Sequence, residues 1–192
     1  MYFELRTYDL KPGKAPVYLE FFRTFGVGLV TRHLPMGGYW MVESGTLNRI
    51  EHLWIYESFE ERDACRASLA KDRAWMEDFI PKAFEDVEAQ QNRIMRLVRS
   101  SDPFDTVIAQ RLDARSNQTA DAPMFTPALQ GLTFSDDPEV HGEPLAQFRV
   151  ATGHSPGTFV TLSAGSPGDL LTGTERAKSH ELLRPLTLSP LR

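Results

Sequence analysis

The sequence predicts an α+β fold built from two tandem β-α-β-β-α-β units. Three observations carry that reading. Several short stretches alternate between apolar and polar side chains with the period of two that strands impose. Between them, two stretches repeat apolar residues at helical spacing. Beyond a polar break near residue 99 the strand patterns begin again, as in a divergent second copy.

Residues 2–10 form the first strand. Phe3 and Leu5 make an aliphatic side, while Tyr2, Glu4, Arg6 and Tyr8 make the other. Lys11-Pro12-Gly13-Lys14 ends it, because Pro and Gly both punctuate a strand. Pro16 suits the first turn of a helix, where its missing N–H costs nothing. Tyr18, Phe21, Phe22, Phe25 and Leu29 then recur on one side, and the helix is expected to end near His33 and Pro35. After Met36-Gly37-Gly38 comes a second strand, 39–44, and residues 45–48 read as hairpin punctuation.

The third strand, 50–56, is the most informative. Leu53 and Ile55 point one way, with Ile50 out of step; His52, Trp54 and Tyr56 point the other. Ser58 and Glu61 have the spacing of a capping box, and the helix they open is expected to run to about residue 87 with an interruption near Pro81. Residues 90–98 make a fourth strand. This order is the ferredoxin-like split unit.

Residues 99–105 read as a linker. All three tryptophans and all five tyrosines precede residue 99, and nine of the thirteen prolines follow it, so the second half has diverged. Strand patterns nevertheless persist at 106–112, 128–134, 145–152 and 158–164, with a short helix in 169–183 and a final strand at 186–189. The expected organisation is a first ferredoxin-like domain at 1–98, the linker, and a second half at 106–192 whose first helix is reduced.

Composition narrows the function classes. The chain of 192 residues carries a net charge of −5 with both signs interspersed; no basic stripe marks it for nucleic acid. No apolar run reaches the length that spans a bilayer, and the N-terminus enters a strand pattern with no signal-like segment. The single cysteine, Cys65, rules out an internal disulfide and suits a reducing compartment. A cytoplasmic protein without membrane or nucleic-acid partners is the expectation.

The candidate site is the polar-aromatic side of the strands. A face carrying His, Trp and Tyr is too apolar for open water and too polar for a dry core, and it suits the wall of a semi-enclosed cavity. Packing against another chain or domain would use the same face. His52 is the best acid–base group, since imidazole titrates near working pH. Arg6 offers a planar cationic fork for an anionic or carbonyl oxygen, and Tyr8 or Asn92 can donate to an oxyanion. Glu4, Trp54, Tyr56, Glu43 and His33 complete the expected substrate-binding set. A metal held by His33, His52 and Glu43 has only weak spacing support, so no metal is assigned. Gly26-Val27-Gly28 lacks the third glycine of a dinucleotide fingerprint, so no tightly bound organic cofactor is expected.

Several separated motifs are together familiar. Phe3-Glu4-Leu5-Arg6-Thr7-Tyr8 with Lys11-Pro12-Gly13-Lys14, then Arg32-His33, Gly38-Tyr39-Trp40, and 52–58 with Glu61-Arg62, joined by Trp75, Phe79 and Gln91-Asn92, resemble the NIPSNAP family. The likeness covers about residues 1–98. It implies a dimeric α/β-barrel, in which two ferredoxin-like sheets close face to face around a cavity that often holds the substrate, and a homodimeric assembly. Here the second half is expected to supply the facing sheet as a pseudo-barrel. Related barrels perform oxygenation, isomerisation, cyclisation or elimination. The resemblance names no reaction, and the mitochondrial links of eukaryotic members transfer badly to a chain without a transit peptide.

Two classes of function follow. The first is an enzyme of specialised metabolism acting on a hydrophobic or aromatic small molecule in the barrel cavity by acid–base chemistry. The second is a non-catalytic binding or scaffold protein whose aromatic face serves assembly.

Overall fold

The computed structural model describes residues 1–139 and 144–192. Strand β1 (Tyr2–Leu10) leads to α1 (Ala15–Phe21), which continues through a π-helical stretch (Phe22–Gly26) into α2 (Val27–Val30). Strands β2 (Met36–Ser44) and β3 (Arg49–Tyr56) form a hairpin. Helix α3 (Phe59–Leu69), a second π-helical stretch (Ala74–Phe79) and α4 (Ile80–Ala83) precede β4 (Val87–Ser100). The second half holds α5 (Asp102–Ala109), β5 (Gln130–Ser135), β6 (Ala146–Gly153), β7 (Phe159–Ala164), α6 (Pro167–Leu170) and β8 (Ser179–Pro185).

The strands close into one barrel in the order β1-β3-β2-β8-β5-β7-β6-β4. Read from β4, the first half contributes β4-β1-β3-β2 and the second β8-β5-β7-β6. Both halves therefore place their strands in the same order: fourth, first, third, second. All the pairings are antiparallel, and β2–β8 and β4–β6 join the halves. Closure is achieved within one chain.

Local chemistry explains most elements. Ser58 caps α3 by accepting from the Glu61 N–H at 3.2 Å, and the Glu61 carboxylate reaches back to the Glu57 N–H. Gly26 is required by packing: a Cβ there would stand 2.3 Å from the Phe79 ring, so the helices of the first half cross at that point.

Four expectations for the second half change. Residues 99–105 are no linker, because β4 runs to Ser100 and α5 starts at Asp102. Residues 106–112 form no strand; α5 extends to Ala109. Pro103 and two aspartates lie in its first turn, and Phe104 and Val107, three apart, share a buried face. Phe104 packs on Phe3 and Phe148, so α5 helps fill the barrel core. The helix expected in 169–183 shrinks to the single turn of α6, closed by a Ser166–Asp169 capping box. The last strand is 179–185 rather than 186–189. Between α5 and β5 the chain runs as a strap over the helices: Arg23, itself buried, donates to the carbonyls of Thr119 and Ala120 at 2.8 Å each.

The alternation of β1 and β3 is as read, but the two faces are exchanged. Phe3, Leu5, Leu53 and Ile55 point into the barrel, where they join Trp40, Met95, Phe148, Leu162 and Leu183. Tyr8, Trp54 and Tyr56 point outward, under the helices. Only about 10 Å³ is left open in the lumen. An eight-stranded barrel has an interior just wide enough for side chains to fill, so the compact aliphatic face goes inside. The helix layer, built largely from Phe22 and Phe79, accepts the rings.

One end of the lumen is polar. Thr7 Oγ1 lies 2.8 Å from both oxygens of Glu51, and Arg49 joins Asp9 and Glu181 at 2.7 and 3.0 Å. Burial, with the charge of Glu181, pushes the Glu51 carboxyl up to about 8. It therefore carries a proton at neutral pH.

Two outcomes follow for stability. Leu53→Ala should cost about 2–5 kcal/mol through a lumen cavity, read as a fall in the denaturant midpoint; a loss well below 1 kcal/mol would contradict the face assignment. For Glu51 the folded carboxyl is raised above the ordinary 4.5. Its contribution is complete below about pH 4.5 and declines as pH rises through about 8. Glu51→Gln should flatten that decline, and parallel stability profiles of the two proteins from pH 4.5 to 8 would refute it.

Candidate functional site: a pocket between sheet and helices

The outward face of the first sheet and the helices above it enclose a pocket of about 170 Å³. Arg6 and Tyr8 reach it from β1, Tyr39 from β2, and His52 and Trp54 from β3. Tyr18, Phe22, Arg66 and Trp75 close it from the helix side. Phe22 and Trp75 both lie in the π-helical stretches, local irregularities that recur at functional sites.

His52 is locked in place. Its ring stacks on Tyr39 at 4.9 Å and meets the edge of Tyr8 at 4.6 Å. The Trp54 Nε1–H donates to His52 Nδ1 at 2.7 Å. An indole nitrogen only donates, so Nδ1 is the acceptor. Burial, reinforced by the charge of Arg6, holds the imidazole well below its ordinary value. The ring is therefore neutral, and its proton sits on Nε2, which is buried with no partner among the described residues. His52 is a hydrogen-bond donor. The general-base role expected from sequence does not fit, because the one lone pair a base would use is occupied by the indole.

The pocket has a positive edge. Glu4, with no exposed surface, accepts from Arg62 at 2.9 and 3.1 Å, from Arg66 at 3.0 Å and from Asn92 at 2.9 Å, with Arg6 at 3.8 Å. Burial alone would raise this carboxyl. The Arg62 hydrogen bond, the Arg66 charge and Asn92 outweigh it and hold the group at about 2. Three guanidinium groups thus share one carboxylate, and the Nε of Arg6 and of Arg66 are buried with no acceptor among the described residues.

Of the residues singled out from sequence, Arg6, Tyr8, His52 and Trp54 meet in this pocket, while Glu4 and Asn92 lie behind its arginines, outside the wall itself. Tyr56 is buried on the same face but is no part of the wall. Glu43 does not join them: it pairs with Arg184 at 2.9 Å, half-exposed, at the β2 bulge. His33 does not either; its ring bridges Ser68 and Asp72 and ties the two helices together. The three residues weighed as metal ligands thus stand in three separate settings. Sequence reasoning passed over Arg66, Tyr39 and Tyr18. The signal for Arg66 was present, since Arg62, Arg66 and Leu69 fall on one helical face.

The NIPSNAP family model matches residues 3–102. The chain belongs to the NIPSNAP family. Protein NipSnap homolog 3B of Mus musculus is 43% identical over 98 residues, half of this chain and 39% of that protein. Protein NipSnap homolog 3A of Homo sapiens is 37% identical over 99 residues, 51% of this chain and 40% of that protein. The chain thus spans about two-fifths of the length of these relatives. A crystal structure of a NIPSNAP family protein with unknown function from Agrobacterium tumefaciens is 37% identical, with a TM-score of 0.51; it covers 53% of this chain and 92% of its own. The NIPSNAP likeness therefore contains the whole pocket, and the unmatched half contributes the other side of the barrel. No helix among the described residues is long and apolar enough to cross a membrane.

The Glu4 cluster has a pH signature. The folded carboxyl lies below its ordinary 4.5, so its stabilisation is complete above about pH 4.5 and is lost as pH falls through about 2. Glu4→Gln should cost about 3–5 kcal/mol at pH 7 and remove that acid limb. An unchanged acid profile in denaturant unfolding would show that the cluster does not hold the helix to the sheet.

Proposed function

We propose that the NIPSNAP half binds a compact, mostly apolar molecule with a carboxylate, enolate or phenolate oxygen, in the pocket beneath the helices. The observation that carries this is the set of three N–H donors at one pocket that have no acceptor among the described residues: Arg6 Nε, Arg66 Nε and His52 Nε2. Buried donors left unpaired are costly, and an anionic oxygen would satisfy them. The remaining wall is aromatic and aliphatic, as small-molecule sites usually are.

Volume sets the ligand size. A pocket of about 170 Å³ is close to the roughly 150 Å³ that holds a benzene-sized guest, and well below the 300–1,000 Å³ typical of drug-sized ligands. A single ring fits this better than an extended polyene. The chemistry these donors suit is stabilisation of developing negative charge on oxygen. A neutral histidine whose N–H polarises a carbonyl is a known device for enolisation. The pocket thus supports an isomerase- or tautomerase-like reading on the electrophilic side. The filled lumen supports the scaffold reading only for the barrel interior.

The test is quenching of tryptophan fluorescence by single-ring aromatic carboxylates and by their uncharged amides. Carboxylates should bind more tightly, and Arg6→Gln and His52→Phe should each weaken them by about tenfold, near 1.4 kcal/mol. Equal affinity for acid and amide, or indifference to both variants, would overturn the proposal.

A further inference from the structure

The second half carries its own recess at the topologically matching place. The outward faces of β5, β7 and β8 correspond in strand order to those of β1, β3 and β4. A layer of helices covers the first set; among the described residues, only α6 and the segment after it overlie the second. Beneath them lies a groove of about 420 Å³, within the size range of small-molecule sites.

Its floor is a cross-strand row of polar side chains. His180, Thr133, Thr161 and Gln147 are register partners on β8, β5, β7 and β6. They are bonded sideways: Thr133 Oγ1 lies 2.8 Å from His180 Nδ1, and Gln147 Nε2 donates to Thr161 Oγ1 at 3.2 Å. Gln147 is fully buried and anchored further on the Pro138 carbonyl at 2.9 Å. The row is therefore held before any ligand arrives. Ser163 extends the floor, and Asp169 and Glu139 stand at the sides. Among the described lining residues there is no lysine, arginine or benzenoid ring.

Hydrogen-bond bookkeeping points to the ligand. Thr161 accepts from Gln147, so its own O–H is left to donate into the groove. Thr133 can give its proton to His180 Nδ1, which leaves its oxygen to accept. A donor and an acceptor on facing register partners match two neighbouring hydroxyls of one molecule. The carboxylates of Asp169 and Glu139 accept from further hydroxyls and repel anions. We propose that this groove is a second ligand site, distinct from the arginine-edged pocket, and that it takes a neutral polyol.

The experiment is an NMR titration of the full chain with myo-inositol and glucose as polyol probes and inorganic phosphate as the anion control. Saturable shifts centred on Thr133, Thr161, Ser163 and His180 are expected, with none for phosphate. Thr161→Val should weaken polyol binding about tenfold. Ser163→Ala, which leaves the buried hydrogen bonds intact, should weaken it less, and Arg6→Gln should leave it unchanged. Absence of saturable shifts, phosphate shifting the same residues, or polyol binding indifferent to both groove variants would overturn the proposal.

Discussion

Closure of the barrel within a single chain is the constraint on which the rest depends. Once β2 meets β8 and β4 meets β6, each sheet has one face turned to a lumen of fixed width. That lumen has room only for side chains. Phe3, Leu5, Leu53 and Ile55 meet Leu132, Phe148, Val160 and Leu162 there and leave almost nothing open. The other face of the first sheet is then obliged to look outward, and its His-Trp-Tyr character becomes the floor of a pocket beneath helices.

The electrostatics of that pocket follow from one buried carboxylate. Glu4 cannot stay ionised in isolation, and Arg62, Arg66 and Asn92 supply what burial removes. Their geometry also draws α3 onto β1, since Arg62 and Arg66 project from the helix and Glu4 from the strand. The cluster carries more positive than negative charge, and Arg6 and Arg66 retain unpaired N–H groups beside a histidine fixed as a donor. The residues that hold the helix to the sheet are thus the same ones that give the pocket its positive side.

The two halves share a strand order but not a helix layer. The first is covered by phenylalanine-rich helices and, over them, the strap that Arg23 holds. Over the outward face of the second, among the described residues, lie only α6 and the segment after it, and its strands carry Thr, Ser and His there in place of Tyr, Trp and Arg. Loss of an apolar cover removes the reason for an apolar face, so the hydroxyl-bearing strands are what such a sheet requires to meet water.

Much of this was written in the sequence. The alternation of β1 and β3, the Ser58–Glu61 helix start, the β-α-β-β-α-β order and the grouping of Arg6, Tyr8, His52 and Trp54 on one face are all local, because they depend only on the period of two in a strand and the capping chemistry of neighbours. Residues 102–109 are not legible as a helix from sequence, because a short apolar run fits either period until its packing partners, Phe3 and Phe148, are known. Glu43 and His33 were misplaced because their partners Arg184 and Asp72 are distant in sequence. Which face of the sheet is inside, and which nitrogen of His52 bears the proton, only the tertiary structure decided. A strand's pattern divides its side chains into two sets, but the choice between lumen and helix layer belongs to the elements that close over each, and a tautomer belongs to the neighbour that donates to it.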